Sequence, residues 1–317
     1  MNLLLTGAWR DAKKYIPLLE KHGHKVVFMQ NEADALPCDP GWVEGAVCNG
    51  LFLSHNAESF SSLRYVQLTS AGYDRVSLED FIRRGVTVNN ARGVYSIPMA
   101  EHAVACVLYF FRHGKGFFEK QKQHLWQKDR DLRELCGSTV CIIGCGSVGT
   151  ECAKRFSAFG CKVIGIDTES SQKQYYDRID HIEETDRAIS RADAVILTLP
   201  LTESTAGLAD ERFFGALKDG CVLVNIARGG IVCTDALIKA LSERELYAAL
   251  DVFEEEPLDE ASPLWAMENV LVTPHNSFVS DKTADRLSEL ILKGLTGRTG
   301  GDTLEDSGSI SQKQNRI

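Results

Sequence analysis

No apolar run in this sequence approaches the roughly 20 residues needed to span a bilayer. The opening run, Leu3-Leu4-Leu5, is too short for the core of a secretory signal and has no basic flank before it; it reads as a first β-strand. Basic residues are not in excess: 35 Lys and Arg stand against 44 Asp and Glu, a net charge of −9 with no dominant cationic cluster. Nucleic acid and anionic membranes are therefore excluded as expected partners. The ten cysteines are scattered and do not form the two-pair spacing of a metal site, so no metal is expected. Cys106, Cys141, Cys161 and Cys221 sit inside apolar runs. Such thiols read as buried and reduced in a cytoplasmic protein, not as a disulfide scaffold.

What is present is a regular alternation. The 317 residues suffice for two domains, each with its own core. Short β-branched runs are expected as strands at Leu3–Thr6, Lys25–Met29, Ala46–Phe52, Tyr65–Thr69 and Val86–Asn89. A second set is expected at Thr139–Ile143, Lys162–Ile166, Ala194–Leu199, Val222–Ile226, Ala248–Asp251 and Val270–Thr273. Longer helical patterns separate them, which implies α/β architecture with parallel sheets covered by helices. Between the two sets, a helix from Pro98 carries apolar residues nearly all round, Ala100, Ala103, Val104, Val107, Leu108 and Phe111 among them. It is expected to be buried either in a core or against a second subunit. The tail after about Leu295, rich in Gly, Ser, Asp and Gln, reads as mobile and shows no obvious final strand.

Gly144-Cys145-Gly146-Ser147-Val148-Gly149 follows an expected strand and precedes a helical pattern. Gly144 permits a tight turn, Gly146 lets backbone approach a pyrophosphate, Gly149 lets helix and strand pack closely, and the helix N-terminus attracts phosphate. Alone, such a turn is a weak signal. Asp167, eighteen residues after Gly149 at the next strand end, is spaced for the adenosine ribose, although it could be a turn residue only. A carboxylate there accepts ribose hydroxyls and repels a 2′-phosphate, and no arginine follows before Arg178, so NAD is expected over NADP.

Three later strand ends carry Arg228, Glu256 and His275. In an open parallel sheet the carboxyl ends of strands line the ligand crevice. Reduction of a 2-oxo acid needs a cation for the carboxylate and ketone, and an acid for the new alkoxide. Histidine serves as that acid near neutral pH. A neighbouring carboxylate orients an imidazole and favours its charged form. Separately, each residue has an ordinary reading: a structural histidine, a solvated acidic run, a surface arginine turn. Together, downstream of a dinucleotide turn, they point to hydride transfer.

The chain resembles the D-isomer-specific 2-hydroxyacid dehydrogenase family over roughly residues 45 to 295. The resemblance rests on Ser70-Ala71-Gly72-Tyr73-Asp74, Asn90–Ser96, Ala100-Glu101-His102, the glycine turn with Asp167, and Leu199-Pro200-Leu201-Thr202. It continues through Asn225–Gly230, Asp251-Val252-Phe253 with Glu256-Pro257-Leu258, and Thr273-Pro274-His275. It implies two Rossmann-like domains. Residues 1–97 and 279–317 would form a discontinuous substrate domain, and 98–278 the NAD-binding domain. It further implies a D-2-hydroxy acid as the alcohol, Arg228 as the substrate-binding arginine, Glu256 orienting His275, and His275 moving the proton. Backbone at Ser70, Ala71 and Gly72 would hold the substrate carboxylate. Ser147, Val148, Leu199, Pro200, Ile226, Ala227, Asp251 and Ser277 would flank the cofactor, beside Arg228 and His275. The helix of residues 98–113 would join a homodimer. A departure is His275-Asn276-Ser277-Phe278, where many members have glycine two residues after the histidine. Asn49 to Phe52, Tyr73 and Trp265 are expected to wall a mostly apolar substrate pocket. An NAD-sensing corepressor-like interaction protein of this fold remains an alternative, and formate dehydrogenase a weaker one.

Overall fold

The computed structural model describes residues 1–297, so all of the tail beyond Gly297 lies outside the described residues. The chain divides into two compact units: Met1–Tyr95 with the described residues from Ser280 onward, and Ser96–Val279. The first holds five parallel strands in the order β2-β1-β3-β4-β5: β1 (Asn2–Thr6), β2 (Lys25–Met29), β3 (Gly45–Cys48), β4 (Tyr65–Leu68) and β5 (Thr87–Asn89). β3 and β4 are buried along their whole length, as runs covered on both faces must be. The helix Thr283–Thr296 returns the chain to this unit. Its Leu287, Ile291 and Leu295 pack with Leu3, Leu5 and Trp9, and Trp9 Nε1 donates to Ser288 Oγ at 2.9 Å. The sequence-distant helix is thereby part of the first unit, which makes that domain discontinuous.

The second unit holds seven parallel strands in the order β12-β11-β10-β9-β6-β7-β8: β6 (Thr139–Ile143), β7 (Lys162–Asp167), β8 (Arg178–His181), β9 (Ala194–Leu197), β10 (Cys221–Asn225), β11 (Leu246–Leu250) and β12 (Val270–Val272). Strand order reverses between β6 and β9, the kind of switch point that opens a ligand crevice beyond the strand C-termini. One face packs Cys141, Ile143, Val195 and Leu223 against Phe213 and Phe214. The other packs Val140, Ile142 and Ile196 against the helices Ser96–Phe111 and Ser147–Ala158.

Three sequence expectations need correction. The strand expected over Ala46–Phe52 stops at Cys48, and Leu51–Ser54 is helical. The cause is Glu32, whose carboxylate takes Thr6 Oγ1 at 2.7 Å and the amides of Asn49 and Gly50 at 2.7 and 2.5 Å. Those amides are thus unavailable for a further ladder. β8 has no counterpart among the expected strands, because Arg-Ile-Asp-His is mostly polar and only Ile179 is buried on this edge strand. The apolar helix begins at Ser96, so Pro98 lies inside its first turn, where a missing N–H costs no intrahelical bond. Ala100, Ala103, Val104, Val107 and Phe111 of that helix are buried in the core of their own unit.

Candidate active site

The glycine turn between β6 and its helix is shaped by close approach. Gly144 has φ +97°, and a Cβ there would lie 2.6 Å from the Leu199 amide nitrogen. A Cβ on Gly149 would lie 2.0 Å from the Gly144 carbonyl oxygen. Thr198 Oγ1 donates to that same carbonyl at 2.6 Å, tying the turn to the end of β9. The helix Ser147–Ala158 then starts with its free N–H groups at the turn, and Ser147 Oγ meets Ser96 Oγ at 2.8 Å. A pyrophosphate fits this cradle, since its partners are backbone donors and a helix N-terminus. Burial pushes the Cys145 thiol up to about 11, so it packs under the turn as a neutral group.

Asp167 closes the other side of the turn. Its Oδ2 accepts from Cys145 N at 3.0 Å and its Oδ1 from Thr168 N at 2.8 Å. The sequence reading missed Lys173, whose Nζ lies 3.2 Å from Asp167 Oδ2 and donates to the Cys145 carbonyl at 2.9 Å. Lys173 sits in an irregular segment, so no spacing rule marked it.

Arg228, Glu256 and His275 follow β10, β11 and β12, three strands that are neighbours in the sheet. His275 Nδ1 and Glu256 Oε2 are 2.8 Å apart. That leaves Nε2 as the ring nitrogen for a reacting group. Glu256 Oε1 accepts from Phe253 N at 3.1 Å, which fixes the carboxylate. Both side chains are about two-fifths exposed, as groups that meet a ligand must be. His275 itself adopts left-handed backbone, φ 50°. Its position is held from below by Asp251, only 1 % exposed. The Asp251 carboxylate accepts from Thr273 Oγ1 at 2.6 Å, Asn276 N at 2.8 Å and Ser277 N at 2.9 Å, while its own carbonyl takes His275 N at 2.8 Å. Strain at one residue persists where surrounding bonds over-determine it. His102 Nε2 lies 3.5 Å from Thr273 Oγ1; burial lowers its pKa, and the Asp251 charge opposes that fall.

The Arg228 turn is built in the same way. Fully buried Asn225 accepts from Ala227 N and donates to the Arg228 carbonyl, both at 3.1 Å, and Arg228 Nη1 donates to the Ala227 carbonyl at 2.8 Å. Gly229 lies against the Phe253 backbone so closely that a Cβ would come within 1.8 Å of the Phe253 carbonyl carbon. The Arg228 turn and the Glu256 loop are therefore in direct contact. Leu199, Ile226, Ala227 and Ser277 are buried behind these turns, and Pro200 is exposed.

In the first unit, the Ser70–Gly72 loop follows β4. Ala91 N donates to the Ser70 carbonyl at 2.8 Å, and Asn90 Nδ2 to the Ala71 carbonyl at 2.6 Å. The apolar pocket wall expected from Asn49 to Phe52 is corrected: Leu51 is fully buried, and Phe52 stacks edge-on against Phe60 and Phe81 in that unit's core. Tyr73 packs against the same core, and half-exposed Trp265 donates to the Asp259 carbonyl at 2.9 Å.

A family profile described as "D-isomer specific 2-hydroxyacid dehydrogenase, NAD binding domain" matches residues 104–277. A glyoxylate reductase of Pyrococcus furiosus is 33% identical over 254 residues, covering 77% of this chain and 75% of its own. Among solved structures, a D-isomer specific 2-hydroxyacid dehydrogenase family protein of Aeromonas salmonicida superposes with TM-score 0.79 at 30% identity, over 95% of this chain and 98% of that one. A D-isomer specific 2-hydroxyacid dehydrogenase of Xanthobacter autotrophicus in complex with NADPH and MES superposes with TM-score 0.76 at 27% identity, over 96% of each.

Proposed function

The chain belongs to the D-isomer specific 2-hydroxyacid dehydrogenase family, and we propose that Arg228, Glu256 and His275 are the residues by which it interconverts a small 2-oxo acid and its D-2-hydroxy acid. It is an NAD-dependent oxidoreductase of 2-oxo and 2-hydroxy acids. The observation that carries the residue assignment is the 2.8 Å contact between His275 Nδ1 and Glu256 Oε2. A histidine oriented through one nitrogen offers the other to a substrate oxygen.

A nicotinamide dinucleotide held at the Gly144–Gly149 turn would supply the hydride for the C2 carbonyl carbon in reduction. Arg228, a planar cation with several donors, holds the carboxylate and polarises the ketone. Protonated His275 gives its Nε2 proton to the developing alkoxide, leaving a neutral ring. In oxidation the neutral ring takes the hydroxyl proton back. Glu256 keeps the ring in one orientation and faces its positive charge. The backbone at Ser70, Ala71 and Gly72 is assigned to the substrate carboxylate. The turn from Gly144 to Gly149, with Ser147 and Val148 at the helix start, is assigned to the pyrophosphate. Leu199, Pro200, Ile226, Ala227, Asp251 and Ser277 are assigned to the nicotinamide half. Asp167 is assigned to the ribose, with NADH preferred over NADPH. We assign the substrate role to the discontinuous unit of residues 1–95 and the described residues from Ser280 onward, and the cofactor role to 96–279.

The direct test is NADH oxidation by the full chain across a panel of 2-oxo acids, glyoxylate included. Turnover on at least one is expected; none across the panel contradicts the reading. The protein is further proposed to be a cytoplasmic homodimer. Phe117, Phe118, Leu125 and fully exposed Trp126, just beyond the apolar helix, support a second copy as the cover for this surface. Sedimentation at micromolar concentration is expected to give the dimer mass, and a monomer would refute it.

A further inference from the structure

The group that should repel a 2′-phosphate is not a lone charge. Asp167 Oδ2 faces the Lys173 ammonium at 3.2 Å and the Cys145 amide at 3.0 Å. Lys173 spans from that carboxylate to the Cys145 carbonyl at 2.9 Å, so two of its three donors are used by the two walls of the turn. Its side chain is about one-third exposed and that of Asp167 about one-quarter. The ammonium therefore stands where a ligand at Asp167 can reach it. Lysine is a compact point charge on a flexible stem, able to swing from a carboxylate to a phosphate. Of the other charges nearby, Arg178 is tied to Asp180 at 2.8 Å, and Glu169 is exposed in the turn after Asp167. Glu169 keeps some negative charge at this end.

We propose that Lys173 is a specificity-determining residue for the dinucleotide: it neutralises Asp167 and receives a 2′-phosphate, so that NADPH is accepted as a second, weaker cofactor beside NADH. This rests on the reading that the Gly144–Gly149 turn holds a nicotinamide dinucleotide. With NADH bound, Lys173 stays on Asp167 while the carboxylate accepts the ribose hydroxyls. With NADPH bound, it turns to the phosphate, and the cost of placing that phosphate beside Asp167 falls.

The test is calorimetric titration of the full chain with NADH, NADPH, 5′-AMP and 2′,5′-ADP, for the unmodified protein, Lys173→Met and Lys173→Arg. Lys173→Met removes a charge-assisted hydrogen bond to the phosphate, which is expected to weaken NADPH and 2′,5′-ADP on the order of tenfold. NADH and 5′-AMP should change by less than about threefold, a margin for the neutral ribose contact. Lys173→Arg keeps the charge and should retain NADPH binding. Added salt should weaken NADPH more than NADH in the unmodified protein, a readout that needs no variant to fold. Equal losses for both dinucleotides in Lys173→Met would make Lys173 a mere brace of the turn, and no loss for either would also overturn the proposal. Absence of all dinucleotide binding by the unmodified protein would instead overturn the cofactor reading beneath it.

Discussion

Within the unit of residues 96–279, the tips of β10, β11 and β12 and the tip of β7 are built in opposite ways. At the first, buried polar side chains hold the backbone. Asn225 is fully buried and Asp251 nearly so, and together they bond the turns that carry Arg228 and His275. At the second, Asp167 and Lys173 meet through partly exposed side chains. The first arrangement is fixed before any ligand arrives, which is what proton transfer at hydrogen-bond range demands. The second can be altered by one flexible side chain, which suits a choice between two ligands that differ by one phosphate. Reaction geometry and cofactor choice are thus separable, and substitutions at each end are ways to break that separation.

The largest effect is expected at His275. Replacing it with alanine should lower kcat for reduction by about 10²–10⁴, the usual contribution of a positioned acid, with NADH affinity little changed in a fluorescence titration. Next comes Arg228. Arg228→Ala should lose roughly 10- to 100-fold in kcat/KM, as expected for charged hydrogen bonds. Arg228→Lys should also remain impaired, because a point charge lacks the planar fork. Full activity in both would remove Arg228 from the substrate. Asp251→Asn should destabilise the protein by about 1–3 kcal/mol, since an amide group then faces backbone donors in a buried place. Thermal unfolding measures that loss, and kcat should fall with it because the His275 turn loosens. An Asp251→Asn protein of normal stability and turnover would show that the turn needs no such anchor. The smallest effect belongs to the selective end. Asp167→Ala should narrow the ratio of kcat/KM for NADH over NADPH by about tenfold while leaving kcat with NADH nearly intact. A large fall in kcat there would mean that the two ends are coupled after all.

Much of the architecture was legible because continuously apolar runs such as 140–143 and Ala194–Leu197 have few other ways to be buried. Their alternation with helices implied parallel sheets, and the described residues form two of them. What escaped were features decided by partners far away in sequence. Glu32 ends β3 by taking the amides of Asn49 and Gly50, and nothing near residue 49 announces this. For the same reason Leu51 and Phe52 looked like a pocket wall, whereas Leu51 is core and partly buried Phe52 packs against that core. β8 lacks an apolar run because it sits at a sheet edge. At the site, the glycines, Arg228, Glu256 and His275 stand out by type and position at strand ends. The anchoring by Asp251 is visible only in three dimensions, since its partners lie on the turn after the next strand. Lys173 was hidden because irregular segments have no period from which to infer a neighbour.

The most direct test of the account is the pH dependence of both directions of one reaction, NADH-driven reduction of a 2-oxo acid and NAD-driven oxidation of its D-2-hydroxy acid, in the unmodified protein and in His275→Ala. If His275 gives the proton in reduction and takes it in oxidation, reduction requires the protonated ring and falls as pH rises. Oxidation then falls as pH drops, and both limbs vanish from the residual activity of His275→Ala. Limbs that survive unchanged in His275→Ala, or that run in the same direction for both reactions, would contradict it.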